Sequence, residues 1–170
     1  SPAGFAVLGW DYAVTRRLAP AARRVVYFSG AAEPAGEAAC LRGERLVWRW
    51  EGREREICGV ADIGLRGRHN VLNVLAAGAI SGAALCLAGV DAAAAPEAMR
   101  AGLAGFTGVE HRLEFVREWQ GARWYNDSIA SAPERVVAAL RAFDEPIVLL
   151  LGGRDKQLPW DELAGLVRER

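Results

Sequence analysis

The sequence has 170 residues, of which 52% are hydrophobic and 25% charged, with 21 basic residues balancing 21 acidic ones. This is an ordinary composition for a globular chain, long enough for one domain or for parts of two. The balanced charge lacks the basic excess that nucleic acids and anionic membranes attract, so neither partner is expected. Three widely spaced cysteines without a CxxC pair argue against a disulfide framework or a zinc site. No charged-then-apolar leader opens the chain, so a cytoplasmic protein is expected. A monomer is also expected.

The first sixty residues predict a sheet. Residues 5–8 and 25–28 are short apolar runs separated by a helical pattern that reaches Leu18, and a strand–helix–strand unit implies parallel pairing. Residues 46–50 and 56–60 alternate roughly around Glu51-Gly52, which is typical of an antiparallel hairpin. We therefore expect a parallel sheet with a hairpin at its edge.

A long helix follows. Residues 71–90 carry no charge and are long enough to cross a bilayer. They are mostly Ala and Gly, however, whose transfer from water into lipid releases too little free energy for membrane insertion. We predict a buried helix with Asn70 as its N-cap and Gly89 at its end. A further helix is expected over residues 96–103.

The last third predicts a second α/β unit. Ser131 and Glu134 have the spacing of a capping box, with a helix whose buried face includes Val137 and Leu140. Residues 147–151 form an unbroken apolar run, which predicts a strand covered on both faces. A final helix is expected from about residue 159.

Three groups of residues are candidates for chemistry. The sequence His69-Asn70-Val71-Leu72-Asn73 places two amides one turn apart at a predicted helix N-terminus, which suits an anion or a polar ring. A cap with a solvated amide is the alternative. The second group is His111-Arg112 with Asn126-Asp127-Ser128, which combines a phosphate-binding guanidinium with a carboxylate. Asp127 is expected at the carboxyl end of a parallel strand, where its carboxylate suits a sugar hydroxyl or a magnesium-bound water. An edge-strand arginine and an Asx-turn aspartate are the alternative here.

The third group is Gly152-Gly153-Arg154-Asp155-Lys156, in which glycines after a predicted strand allow a close backbone approach and the lysine offers a charge for a carboxylate or phosphate. A solvated loop lysine is the alternative. The group matches neither the dinucleotide-binding motif GxGxxG nor the P-loop motif GxxxxGK[ST].

Four segments in this order resemble the Mur ligase family of peptidoglycan synthesis: LRGRHNVLNVLAA, GVEHRLEFV, WYNDSIASAPERVVAAL and IVLLLGGRDKQ. The resemblance implies an α/β chain with two parts. Residues 1–110 resemble the later part of a central ATPase domain, and residues 111–170 the start of a Rossmann-like domain that binds an amino acid. The P-loop and the magnesium ligands of such an enzyme are expected outside these residues, so no metal ligand is assigned.

The resemblance also implies roles for particular residues. Asn70 and Asn73 match the adenine-side asparagines of the family, Arg112 its ATP-phosphate arginine, and Asp127 its nucleotide-contacting aspartate. Lys156 matches the lysine that binds the amino-acid carboxylate, with Ser131 beside it, and Arg112 and Lys156 are the predicted catalytic residues.

The implied reaction uses ATP and Mg²⁺ to join D-glutamate to UDP-N-acetylmuramoyl-L-alanine through an acyl phosphate. The sequence departs from the family pattern at residues 9–12, Ile129, Ser131 and Gln157. A related ligase, such as a folylpolyglutamate synthase, and a non-enzymatic nucleotide-binding module are the alternatives.

Overall fold

The computed structural model describes residues 4–154 and 156–170. The chain divides into two compact units. The first unit contains the residues up to Gly64 together with Asn70–Phe106, and the second contains Leu65–His69 with Thr107–Arg170.

The first unit is built on a five-stranded sheet in the order β1-β2-β3-β4-β5. Its strands are β1 (Ala6–Gly9), β2 (Val25–Ser29), β3 (Ala38–Arg42), β4 (Arg45–Trp50) and β5 (Arg53–Gly59). Strands β1, β2 and β3 are parallel neighbours, whereas β4 pairs antiparallel with both β3 and β5. The predicted mixed α/β class, with a parallel pair and a hairpin, is confirmed.

Strand β3 was not predicted from the sequence. Its residues, Ala-Ala-Cys-Leu-Arg, include two alanines, whose strand propensity is low. Ala38, Ala39 and Cys40 are nevertheless fully buried, because β3 has β2 on one side and β4 on the other. Pairing on both sides therefore determines this strand.

The helices of the first unit cover the sheet. They are α1 (Ala13–Arg16), α2 (Arg68–Leu87) and α3 (Ala95–Ala104). By length and composition α2 could cross a membrane, but Val71, Val74, Leu75, Ala79 and Ala83 belong to the hydrophobic core. The prediction that Asn70 caps this helix is wrong, since α2 begins at Arg68 and Asn70 lies inside its first turn, buried. Gly67, with a φ of 91°, provides the break before the helix.

The second unit combines a hairpin with two helices. Strands β6 (Glu114–Trp119) and β7 (Ala122–Asn126) pair antiparallel, so the expectation that Asp127 follows a parallel strand is wrong. Helices α4 (Pro133–Leu140) and α5 (Asp161–Glu169) pack through Val137, Leu140 and Leu163. The predicted positions of both helices are confirmed to within a few residues.

Two further predictions in this unit are wrong. Ala132 is the N-cap of α4, and it makes no side-chain cap hydrogen bond, so Ser131 and Glu134 do not form a capping box. The apolar run 147–151 forms no strand, and Val148 and Leu150 are 91% and 80% exposed. A strand needs neighbours for its backbone groups, and the two strands described in this unit pair with each other.

Candidate functional site

Arg112 lies in a turn with an unusual backbone. Its neighbours His111 and Leu113 both have left-handed conformations, with φ values of 64° and 46°. Residues other than glycine rarely adopt this region, because the Cβ atom crowds the backbone. The backbone N–H of Arg112 donates to the carbonyl of Val109 at 3.1 Å, which closes the turn.

Hydrogen bonds from the end of β7 hold this turn in place. The Asp127 carboxylate accepts the backbone N–H of Leu113 at 3.0 Å, and the carbonyl of His111 accepts the N–H of Ile129 at 3.2 Å. The loops on either side of the β6–β7 hairpin are therefore tied together. Arg112 and Asp127, which are fifteen positions apart in sequence, are therefore brought close together in the structure.

Both residues line a cavity of about 120 Å³ within the second unit. Its wall includes charged and apolar side chains: His69, Arg112, Leu113, Asp127, Ile129, Ala130, Glu134, Arg135, Ala138 and Ala139. A guanidinium with a carboxylate beside it can bind a phosphate and a hydroxyl group of one ligand. The apolar wall formed by Ile129 and the alanines can contact the nonpolar part of such a ligand.

His69 contributes an imidazole ring to this cavity. Burial, and to a smaller extent the charge of Arg112, lower the pKa of His69 below its ordinary value, while Asp127 opposes the shift. The ring also packs closely on the chain before it: a Cβ at Gly67 would lie 2.9 Å from both Cε1 and Nδ1 of His69. Gly67 therefore leaves room for the imidazole.

The two predicted amides, Asn70 and Asn73, belong to the first unit. Asn73 Nδ2 donates to Asn70 Oδ1 at 3.1 Å, so the two side chains share one face of α2, as their spacing predicts. Asn70 is buried and Asn73 is exposed.

The residues predicted for the amino-acid site do not line the cavity. Ser131 and Lys156 are both exposed, and Lys156 lies in a segment without helix or strand. Asp155, from the same predicted group, lies outside the described residues. The roles of Ser131 and Lys156 stay predictions.

Residues 9–12, where the sequence departs from the family pattern, have a structural role in the first unit. The two Asp11 carboxylate oxygens accept hydrogen bonds from Ser29 Oγ at 2.5 Å and from the backbone N–H of Gly30 at 2.8 Å. Asp11 thus ties the end of β1 to the end of β2.

Sequence reasoning did not assign His69, Glu134 or Arg135 to the cavity. His69 stands beside the two asparagines in the first candidate group, but only the amides were given a role there. Glu134 was interpreted as a capping residue. His69 and Arg112 are 43 positions apart, so no helix or strand periodicity could have indicated that they lie close together.

The fold resembles part of a known crystal structure. No family model matches the chain. A crystal structure of MurF from Acinetobacter baumannii superposes with a TM-score of 0.59 at 19% identity, covering 84% of this chain and 29% of that one.

The sequence is similar to that of named ligases. The chain is 47% identical to the UDP-N-acetylmuramoylalanine–D-glutamate ligase of Roseiflexus sp. (strain RS-1), over 96% of this chain and 35% of the relative. It is 47% identical to the ligase of that name from Symbiobacterium thermophilum, over 100% of this chain and 36% of the relative. The chain belongs to the Mur ligase family. It spans about a third of the length of the curated relatives it matches.

Proposed function

We propose that the chain is part of an ATP-dependent ligase that joins D-glutamate to UDP-N-acetylmuramoyl-L-alanine in peptidoglycan synthesis. The observation that carries this proposal is the meeting of Arg112 and Asp127 at one cavity, in a chain 47% identical to ligases of that name. ATP would supply the phosphoryl group that activates the substrate carboxylate for attack by the amine. The chain's own residues position the reactants and neutralise charge.

Arg112 is the cation of this site. Its planar guanidinium can donate two parallel hydrogen bonds to phosphate oxygens, and its turn is held by bonds that do not use its side chain. Asp127 has one carboxylate oxygen bonded to Leu113 N–H, and its other oxygen suits a sugar hydroxyl. Asn70 and Asn73, in the first unit, are proposed for the adenine side.

The amino-acid substrate is assigned to Lys156 and Ser131. Lys156 is the only lysine in the sequence, and an ammonium group suits one carboxylate of a dicarboxylic amino acid. Ser131 offers a hydroxyl at the start of α4.

Magnesium ligands are proposed to lie outside this chain. In residues 4–154 and 156–170, no group of three or more His, Cys, Asp or Glu side chains is placed to hold a metal ion. The donor set described here therefore does not fit a resident metal, and we assign no step to one. A cytoplasmic location and a monomeric state complete the proposal.

The test compares two variants in the full-length protein. Arg112→Ala should weaken ATP binding by about 10- to 150-fold, as expected for a lost charge-assisted hydrogen bond, and leave D-glutamate binding nearly unchanged. Lys156→Ala should show the opposite pattern. Arg117→Ala removes an arginine from the same hairpin that does not line the cavity, and it should change neither.

The outcomes also separate the alternatives. Equal losses for both substrates in either variant would overturn the assigned roles. Turnover with a folate acceptor in place of the UDP substrate would favour a folylpolyglutamate synthase. ATP binding without any ligation would favour a nucleotide-binding module.

A further inference from the structure

The Asn126 side chain sits at the centre of a hydrogen-bonded cluster beside Arg112. Its Oδ1 accepts the backbone N–H of Ser128 at 3.0 Å. Its Nδ2 lies 2.9 Å from His111 Nδ1 and 3.5 Å from Glu114 Oε2. The same Glu114 oxygen accepts the backbone N–H of His111 at 2.8 Å. Asn126 thus contacts both loops that carry the cavity residues Arg112 and Asp127.

These contacts determine which way the amide points. A backbone N–H can only donate, so the atom facing Ser128 must be the amide oxygen. The opposite orientation would aim that oxygen at the Glu114 carboxylate and place the NH₂ group against the Ser128 N–H. The NH₂ group therefore faces His111 and Glu114.

The orientation of the amide in turn determines the state of the imidazole. An NH₂ group donates, so His111 Nδ1 must accept with its lone pair, and the ring proton then resides on Nε2. The Glu114 carboxylate, 3.5 Å from Nδ1, is the competing partner, since it would instead favour a proton on that nitrogen. The shorter contact, 2.9 Å to Asn126, favours Asn126 as the partner of Nδ1.

We propose that Asn126 is a positioning residue, which holds His111 in the tautomer protonated on Nε2 and thereby keeps the left-handed turn that presents Arg112. This tautomer directs one further donor, Nε2–H, away from the cluster. The functional part of this inference rests on the proposed nucleotide site. The tautomer does not.

Imidazole nitrogen chemical shifts test the tautomer directly in the 170-residue chain. The sequence contains two histidines, so a His69→Gln variant assigns the signals. At about pH 8, where a free imidazole is neutral, long-range proton–nitrogen correlations should show Nε2 protonated and Nδ1 unprotonated in His111. A proton on Nδ1 in the wild-type chain would overturn the proposal.

The substitution Asn126→Asp should reverse the direction of the hydrogen bond to His111. It replaces the donating NH₂ by an acceptor, so His111 Nδ1 should become protonated and its nitrogen shift should move to that of a protonated nitrogen. Gln120→Glu adds the same charge in the β6–β7 turn and should leave the His111 signals in place. Unchanged His111 signals in a folded Asn126→Asp chain would contradict the inference. If that variant does not fold, the wild-type spectrum still tests the tautomer, and Asn126→Ala, which removes the donor without adding a charge, tests the role of Asn126: a fraction of the Nε2-protonated form unchanged from the wild type would contradict it.

In the full-length protein, Asn126→Asp should weaken ATP binding by about 2- to 13-fold, the effect of one hydrogen bond, while the KM for D-glutamate stays the same. Arg112→Ala is the comparison. Loss of ATP binding in Arg112→Ala but not in Asn126→Asp would overturn the positioning role alone. No loss in either variant, with the predicted tautomer observed, would overturn the proposed nucleotide site and leave the tautomer assignment standing.

Discussion

Two left-handed residues flank Arg112, and each has a backbone conformation that costs roughly 1–2 kcal/mol for a side chain with a Cβ. The surrounding hydrogen bonds to Asp127, Ile129 and Glu114 offset this cost. Strained residues of this kind are found where a side chain must be held in a particular direction. The position of Arg112 therefore depends on the carbonyl of Val109 before it and on groups at the end of β7 and beyond.

His69 should make the stability of the second unit depend on pH. The unfolded chain takes up a proton near the ordinary imidazole pKa of about 6.5, whereas burial and Arg112 lower the pKa of folded His69. The folded state then binds fewer protons, so the free energy of unfolding should fall as the pH drops below about 6.5, and His69 should have no effect on it at higher pH. The pKa of Glu145 is lowered by hydrogen bonds, so this carboxyl group affects the free energy of unfolding only below the pH range in which His69 titrates.

Hydrogen exchange of the buried α4 amides, at Val137 and Leu140, measures this stability. His69→Gln has no titrating ring and should flatten the profile between about pH 5 and pH 7. Parallel profiles for the wild-type chain and the variant would show that the burial of His69 has no energetic consequence.

Close packing of α2 on the sheet is the main feature at the scale of elements. Small residues on the buried face of α2, including Gly78, Ala79 and Gly82, let the helix approach β4 and α3. The approach is closest at Gly82, where an added Cβ would lie 2.5 Å from Trp48 Cζ2 and 2.6 Å from Met99 Cε. Trp48 is fully buried and stacks on Trp50, so its ring has little room to move.

Gly82→Ala should therefore destabilise the first unit by about 1–3 kcal/mol, the usual effect of overpacking. Gly102→Ala is the matched control, because Gly102 lies inside α3 with nothing within 4 Å of its added Cβ. That change should stabilise the unit by about 0.5–1 kcal/mol, since alanine loses less backbone entropy than glycine in a helix. Urea unfolding of both variants measures the difference. A Gly82→Ala chain as stable as the wild type would mean that the helix can shift away from Trp48.

The two units of the molecule differ in how many hydrophobic side chains they bury. In the first, the core runs from Val26 on β2 through Trp48 and Ile57 to Leu75 on α2. In the second, three buried residues, Val137, Leu140 and Leu163, form the cluster, and the apolar side chains of Val148 and Leu150 are exposed. These exposed residues belong to the apolar run 147–151, which forms no strand.

At this scale we predict that the 170-residue chain does not hydrolyse ATP. A P-loop needs a lysine after its glycine, and Lys156, the only lysine, follows Asp155. Phosphate release from ATP and magnesium should equal that of an Arg112→Ala chain purified in the same way, which controls for contaminating enzymes. Magnesium-dependent release above that control would contradict the prediction.

Features that depend on neighbouring residues could be predicted from the sequence. The β4–β5 hairpin was predicted from Glu51-Gly52, and both residues have the positive φ values, 49° and 70°, that a two-residue hairpin turn requires. The long helix α2 was predicted from its composition, and the pairing of Asn70 with Asn73 was predicted from their spacing of three positions. Four short segments also sufficed to indicate the family.

Only the tertiary structure decided the features that depend on distant partners. Strand β3 exists because β2 and β4 enclose it, and the more apolar run 147–151 is not a strand, since a strand forms only where other backbone groups accept and donate its hydrogen bonds. The cavity likewise depends on folding. Arg112 and Asp127 come together because the two loops beside the β6–β7 hairpin are tied to each other, and His69 reaches the same cavity from the start of α2. No local pattern in the sequence encodes either contact.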